Sequence, residues 1–283
     1  MHRPELSAYV GLVKFRLTVT VVLSALFGYL IGCNSFEWPT FVFLAFGGFL
    51  VVSSSNTFNQ LFEIKQDAQM IRTANRPLVV QNISKQNAIV FALLSGLIGI
   101  ALLYFYVDPL SSFLGFVSLI SYAFLYTPLK KISAFSVFVG AFPGAFPPLI
   151  GWTAATHEVN FQGILIFGIQ FIWQFPHFWS IGWILKEDYQ KAGYQLLPSK
   201  NMTSVSQLIY WYTIMLVLVS VLPTIFMMTG KIYLIAAIFL GLGMIYFSGK
   251  LGRNKDKKSA KQLMFASIIY NPLLYIFFII DKI

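Results

Sequence analysis

The run Asn56-Thr-Phe-Asn59-Gln-Leu-Phe-Glu63-Ile-Lys-Gln-Asp67 sets an amide and two carboxylates at intervals of four. On a helix, residues four apart share one face, so Asn59, Glu63 and Asp67 form a single stripe with Asn56 just off it. This is a hard oxygen donor set. Mg²⁺ takes such donors, typically one or two carboxylates completed by substrate phosphates. The competing reading is ordinary polarity at a helix end. It fits Asp67 taken alone, but polar groups as deep in an apolar run as Asn56 and Asn59 are costly unless used.

Directly after the stripe comes Arg72-Thr-Ala-Asn-Arg76-Pro77. Two arginines four apart can clamp phosphate oxygens in bidentate fashion. Positive charge that merely sets membrane topology is the alternative. Lys14, Arg16, Lys130 and Lys131 are further cations open to the same two readings.

A second cluster is Trp173-Gln-Phe-Pro176-His177-Phe-Trp179, followed by Lys186-Glu187-Asp188-Tyr189. His177 lies inside an apolar run, beside a proline that removes one backbone hydrogen bond and tends to kink a helix. Irregular backbone at membrane depth lines cavities. His177 therefore reads either as a cavity residue that touches a substrate or as a packed, hydrogen-bonded one. Glu187 and Asp188 could face Glu63 and Asp67 across a shared cavity, or belong to a solvated loop. The stretch 140–152, with Pro143, Pro147 and Pro148 among glycines and alanines, is expected to break its helix repeatedly and to allow close approach of a neighbour or a flat ligand.

The elements that position these groups follow from composition. Of 283 residues, 57% are hydrophobic and 11% charged, against about 25% charged in a soluble domain. The apolar residues fall in runs near the roughly 20 residues a helix needs to cross a ~30 Å hydrocarbon layer. Nine spans result, at about 17–33, 39–61, 87–107, 110–127, 134–154, 162–185, 205–228, 232–249 and 262–280. No small-residue cleavage site follows the first, which reads as a retained helix rather than a signal peptide. The single cysteine, Cys33, excludes an internal disulfide and a thiolate metal site.

Orientation follows from the basic residues. Eighteen of the twenty fall on one side of a nine-span layout, from Arg3 through Lys261, and only Lys231 and Lys282 on the other. The positive side is cytoplasmic, so the N-terminus is expected inside and the C-terminus outside. This distribution accounts for the net charge of +10 without a nucleic-acid partner. Two long polar loops, 62–86 and 186–204, follow the second and sixth spans. That spacing suggests one transmembrane domain over 1–283, built as two four-helix halves plus a ninth helix around a central cavity.

Taken together, these blocks resemble the UbiA superfamily of intramembrane prenyltransferases, and within it the branch that farnesylates heme. The resemblance covers nearly the whole chain. It rests on Lys14-Phe-Arg16-Leu-Thr, on Asn59-x-x-x-Glu63-x-x-x-Asp67 with Arg72-Thr-x-Asn75-Arg76-Pro77-Leu78, and on Tyr126-Thr127-Pro-Leu-Lys130-Lys131. Gly144-Ala-Phe-Pro-Pro-Leu-Ile-Gly151-Trp152 and Pro176-His177-Phe178-Trp179 with Lys186-Glu187-Asp188-Tyr189 are the blocks specific to the heme branch. Glu63 stands where aspartate is commoner, Lys65 where many relatives carry another acid, and the second acid-x-x-x-acid repeat of quinone-making relatives is missing.

The resemblance implies transfer of a farnesyl group from farnesyl diphosphate to a vinyl carbon of heme B, with addition of water, giving heme O for terminal oxidases. It implies Mg²⁺ as cofactor, held by Asn59, Glu63 and Asp67 with Glu187 and Asp188 opposite. Arg72 and Asp188 join the metal-binding stripe as catalytic groups. Lys14, Arg16, Asn56, Arg76, Tyr126, Lys130, Lys131, His177, Trp179 and Glu187 become substrate contacts. It also implies a bacterial-type inner membrane and a downstream heme-modifying enzyme or oxidase as partner. A quinone-precursor or chlorophyll-type prenyltransferase would share the first motif but not Pro176-His177-Phe178-Trp179. A transporter would also carry intramembrane polar groups, but the acids here gather at one membrane face.

Overall fold

The computed structural model describes residues 6–283, so Arg3 of the charge count lies outside them. Short helices begin and interrupt an otherwise long-helix architecture. α1 (Leu6–Val13) meets α2 (Phe15–Gly32) at Lys14, which is left-handed at φ 49°. α3 (Trp38–Asp67), α4 (Lys85–Tyr106) and α5 (Pro109–Ile120) follow. The chain then passes through a π-helical turn, Ser121–Tyr126, into the three-residue α6 (Thr127–Leu129). α7 (Ser136–Thr156), α8 (Phe161–Ile184), the short α9 (Lys186–Lys191), α10 (Met202–Ile225), α11 (Lys231–Asn254) and α12 (Lys257–Ile280) complete it. Among the described residues nine helical segments are long and apolar enough to cross a membrane, Pro109–Leu129 counting as one. The all-α, nine-span expectation is met.

Consecutive long helices pack on one another, and α12 returns to α2 and α8, so the bundle closes on itself. Most of the buried apolar residues form two large clusters. One draws on α2 to α8 around Tyr29, Leu44 and Leu149. The other lies chiefly among α7 to α12 around Trp183, Ile209 and Tyr270. Close approach of α2 and α7 depends on Gly28 and Gly151, where a Cβ would overlap the carbonyls of Pro148 and Ala25. Small residues serve this purpose in lipid, where no water-driven force brings helices together.

Three expectations need adjustment. α3 continues six residues past its expected end, to Asp67, and α11 and α12 run to within two residues of each other. Hydropathy marks the width of the hydrocarbon layer, whereas a helix also continues through the charged residues that flank it. Lys14 separates α1 from the first span. And α7 is one continuous helix despite Pro143, Pro147 and Pro148. Pro147 and Pro148 lack the N–H that would bond the carbonyls four residues earlier. Ser118 Oγ donates to one of these carbonyls, Pro143 O, at 3.2 Å, and Gln170 Nε2 to the other, Gly144 O, at 3.4 Å. Neighbouring helices thus satisfy what the prolines leave open.

Candidate active site

The last two turns of α3 build one wall of a cavity of about 380 Å³. Asn59, Glu63 and Asp67 all line it, and all are buried. Each is held by a named partner. Asn59 Oδ1 accepts from Lys14 Nζ at 2.7 Å, and its Nδ2 donates to Thr127 Oγ1 at 3.1 Å. Glu63 forms an ion pair with Lys130. Asp67 Oδ2 accepts from Arg76 Nη1 at 2.6 Å. Asp67 Oδ1 is buried without a hydrogen-bond partner among the described residues.

Lys14 reaches Asn59 because the chain turns at a left-handed residue. That turn is pinned from α3: Asn56 Nδ2 donates to Val13 O at 3.2 Å and to Thr18 Oγ1 at 3.0 Å, and Gln60 Nε2 to Leu12 O at 2.7 Å. Asn56, expected among the substrate contacts, therefore spends its amide on the α1–α2 corner and does not line the cavity. Burial lowers the Lys14 pKa to about 7, and the nearby charge of Arg76 works in the same direction.

The π-helical turn also lines the cavity with Tyr122 and Tyr126, ring centroids 5.4 Å apart. Such turns recur at functional sites. A Cβ at Gly140 of α7 would collide with the Tyr126 ring, so glycine there leaves the ring its place. Lys130 sits 4.9 Å from the centre of that ring and 5.1 Å from the centre of Tyr194. The Gln195 N–H bonds the Lys130 carbonyl at 3.2 Å, which ties the loop after α9 to the site. Burial and the negative charge of Glu63 push the Tyr194 hydroxyl above its ordinary range. Met70, Ala192 and Tyr194 form a small core of their own that joins the segment after α3 to the segment after α9.

The structure thus brings together Lys14, Asn59, Glu63, Asp67, Arg72, Arg76, Tyr126 and Lys130. It places other expected residues elsewhere. Trp179 is a core residue, packed on Phe175 and Tyr212. Lys131 is exposed and bonds Phe62 O at 3.3 Å, and Arg16 is exposed on α2. Glu187 lies across no cavity from Glu63: α8 ends, Leu185 redirects the chain into α9, and Glu187 pairs with Lys257 at 2.9 Å on the surface. Asp188 does not line the cavity either, and no group of three His, Cys, Asp or Glu that could hold a metal occurs among the described residues. His177 stacks on Trp173 at 4.7 Å, and its Nδ1 lies 2.8 Å from Ser267 Oγ; its neighbour Phe178, not His177 itself, lines the cavity.

Sequence reasoning missed Tyr122 and Tyr194, and gave Thr127 and Tyr189 no role beyond their place in the quoted blocks. Tyr122 had a signal, four residues before Tyr126 on the same face. Tyr194 had none, because it arrives through a loop.

The cavity chemistry is that of an anion site. Arg76 and Lys130 are paired with Asp67 and Glu63, while Lys14 and Arg72 have no carboxylate partner among the described residues. Two surplus cations, aromatic walls and a spare carboxylate oxygen suit an anionic ligand with an apolar body. The oxygen donors also fit a Mg²⁺ ion, with a limit. Two carboxylates and an amide are too few to satisfy it, so ligand phosphates would supply the rest.

The sequence matches the UbiA prenyltransferase family over residues 21–269, and the chain belongs to that family. The protoheme IX farnesyltransferase of Christiangramia forsetii is 41% identical over 291 residues, 100% of this chain and 96% of that one. The human mitochondrial protoheme IX farnesyltransferase is 34% identical over 269 residues, 95% of this chain and 61% of that one. Among solved structures, a digeranylgeranylglyceryl phosphate synthase superposes with a TM-score of 0.82 at 20% identity, covering 98% of each chain. A UbiA homolog from Archaeoglobus fulgidus bound to GPP and Mg²⁺ gives 0.70 at 14% identity, covering 96% of this chain and 99% of that one. The protein is thus a multi-pass membrane prenyltransferase, similar in sequence to the protoheme IX farnesyltransferases. The transporter alternative falls away.

Proposed function

We propose that the protein transfers the farnesyl group of farnesyl diphosphate to a vinyl carbon of heme B, with addition of water, giving heme O and diphosphate. The observation that carries the diphosphate half is the pair of cations, Lys14 and Arg72, without acidic partners among the described residues, in a cavity that also holds Arg76 and Lys130. The heme half rests on the similarity to the named farnesyltransferases and on the block Pro176-His177-Phe178-Trp179.

Lys14, Arg72, Arg76 and Lys130 would take the diphosphate oxygens and stabilise the charge that grows as the allylic C–O bond breaks. Asn59, Glu63 and Asp67 would hold Mg²⁺, which supplies charge neutralisation to the leaving group. Tyr122 and Tyr126 would bound the prenyl chain and exclude water from it, their ring faces tolerating cationic character on the allylic carbons. The electron pair of the C–O bond leaves with diphosphate. The vinyl group supplies the pair for the new carbon–carbon bond, and water then takes the cation left beside the porphyrin, losing a proton to give a hydroxyl. Incubation with farnesyl diphosphate and heme B should release diphosphate only when both are present. Mass spectrometry should show a heme heavier by one farnesyl and one hydroxyl group. A product without the hydroxyl, or heme left unconsumed, would overturn the reading.

His177 would contact the heme. Its Nδ1 is engaged by Ser267, and Nε2 makes no hydrogen bond to a described residue. His177→Gln is expected to weaken heme binding or alter its absorbance spectrum while farnesyl diphosphate binding stays intact. Unchanged heme affinity, spectrum and turnover would return the residue to a packing role.

The cytoplasmic face of a bacterial-type inner membrane would carry the site, with the C-terminus outside and a heme-modifying enzyme or oxidase to receive the product. Single cysteines at the exposed positions 69 and 255 should react with an impermeant thiol reagent only from the cytoplasm, and one at 157 only from outside. Cys33 is buried and gives little background. Labelling of 69 from outside would overturn the orientation and the location of the site with it.

A further inference from the structure

Beside the reaction cavity lies a second, of about 750 Å³, within the size range of pockets that take cofactor-sized ligands. The two share a wall, since Tyr189, Tyr194 and Leu196 line both. One face of α8 and α9 runs through both. Phe178 and Ile181 line the reaction cavity, and Gly182 and Lys186 the second.

The second cavity has an uncompensated charge. Lys186 and Lys200 line it and no acidic side chain among the described residues does. Neither lysine takes part in the ion pairs of the described residues. The acceptor that Lys186 has is the thioether sulfur of Met202 at 3.4 Å, a weak one. Glu187, next in sequence, is turned away and neutralised by Lys257. Gln190 and Gln195 add amide donors. Two cations and two amides, next to an aromatic wall that opens on a prenyl diphosphate site, describe a receptor for an anionic group on a large apolar molecule.

We infer that this second cavity binds the carboxylate edge of the prenyl acceptor, with Lys186 and Lys200 as its counter-ions. The inference rests on the reading of the acceptor as heme B, a flat apolar ring with two carboxylates on one edge. With that edge held at Lys186 and Lys200, the rest of the ring lies toward the Tyr189–Tyr194 wall and so toward the prenyl group. The lysines would then set which edge of the acceptor is alkylated. An anionic phospholipid headgroup offers similar charge, and the test separates the two sources.

The experiment is an absorbance titration of the purified full-length protein in neutral detergent with heme B and with its dicarboxylate dimethyl ester. Wild type is compared with Lys186→Gln/Lys200→Gln. The double variant is expected to bind heme B roughly tenfold more weakly and farnesyl diphosphate unchanged. The diester should bind wild type about as weakly as heme B binds the variant, and the variant should lose nothing further, because ester and substitutions remove the same interaction. Equal heme affinity in wild type and variant, or an equal loss for the diester, would overturn the inference while leaving heme as acceptor. A wild type that binds neither porphyrin would overturn both. Phosphatidylglycerol that binds wild type more tightly than the variant, while heme B binds the two equally, would assign the cavity to lipid and also overturn the inference.

Discussion

Asp67→Ala is expected to lower the rate of diphosphate release by about a thousandfold, the scale of removing one preorganised group that stabilises transition-state charge. Asp67 is 1% exposed, holds Arg76 at 2.6 Å and keeps its second oxygen free of any partner among the described residues. It is therefore placed both to orient an arginine and to donate an oxygen to a cation. The fold should survive the change. Asp67 ends α3, and the Arg76 side chain retains partial exposure through which to reach water. Helical content and the unfolding midpoint in detergent check that point, and the release assay in the same preparation checks the first. Asp67→Asn, which keeps the shape and removes the charge, should lose turnover almost as fully. A loss below tenfold in either variant would remove Asp67 from the site.

Lys130→Met should act on stability as well as turnover. Lys130 is the ion-pair partner of Glu63, and both are buried, between the rings of Tyr126 and Tyr194. Removing one member of a buried pair leaves the other charge uncompensated, at a cost of about 3–5 kcal/mol. A marked fall in the unfolding midpoint is expected, together with loss of farnesyl diphosphate binding. Lys130→Met/Glu63→Gln removes both charges and should regain most of the stability but none of the turnover. That split separates what the ligand needs from the Lys130–Glu63 pair as a whole from what the fold needs of it. A single variant as stable as wild type would mean that Glu63 does not depend on Lys130.

The amino-acid order by itself determined the membrane class, the nine spans and the principal stripe. The reason is physical: in lipid, a helix must satisfy its own backbone and must be apolar over a fixed length. Any departure from apolarity then stands out, and Asn59, Glu63 and Asp67 depart at intervals that a helix aligns. Arg72, Arg76 and Lys130 were visible for the same reason, as cations beside that stripe.

Only the tertiary structure decided which polar residues are spent on the fold. Asn56 and Asn59 look alike in sequence, yet Asn56 pins the Lys14 turn and Asn59 lines the cavity, because a three-residue step sets them about 60° apart around the helix and α1 packs against the Asn56 side. Glu187 and Asp188 have the composition of a second metal site, but α8 ends at Ile184 and Leu185 turns the chain so that Glu187 meets Lys257. Trp179 is buried against Phe175 and Tyr212. Tyr194 enters through a loop whose path depends on Met70 and on the Gln195–Lys130 backbone bond, contacts more than sixty residues apart that no local pattern encodes.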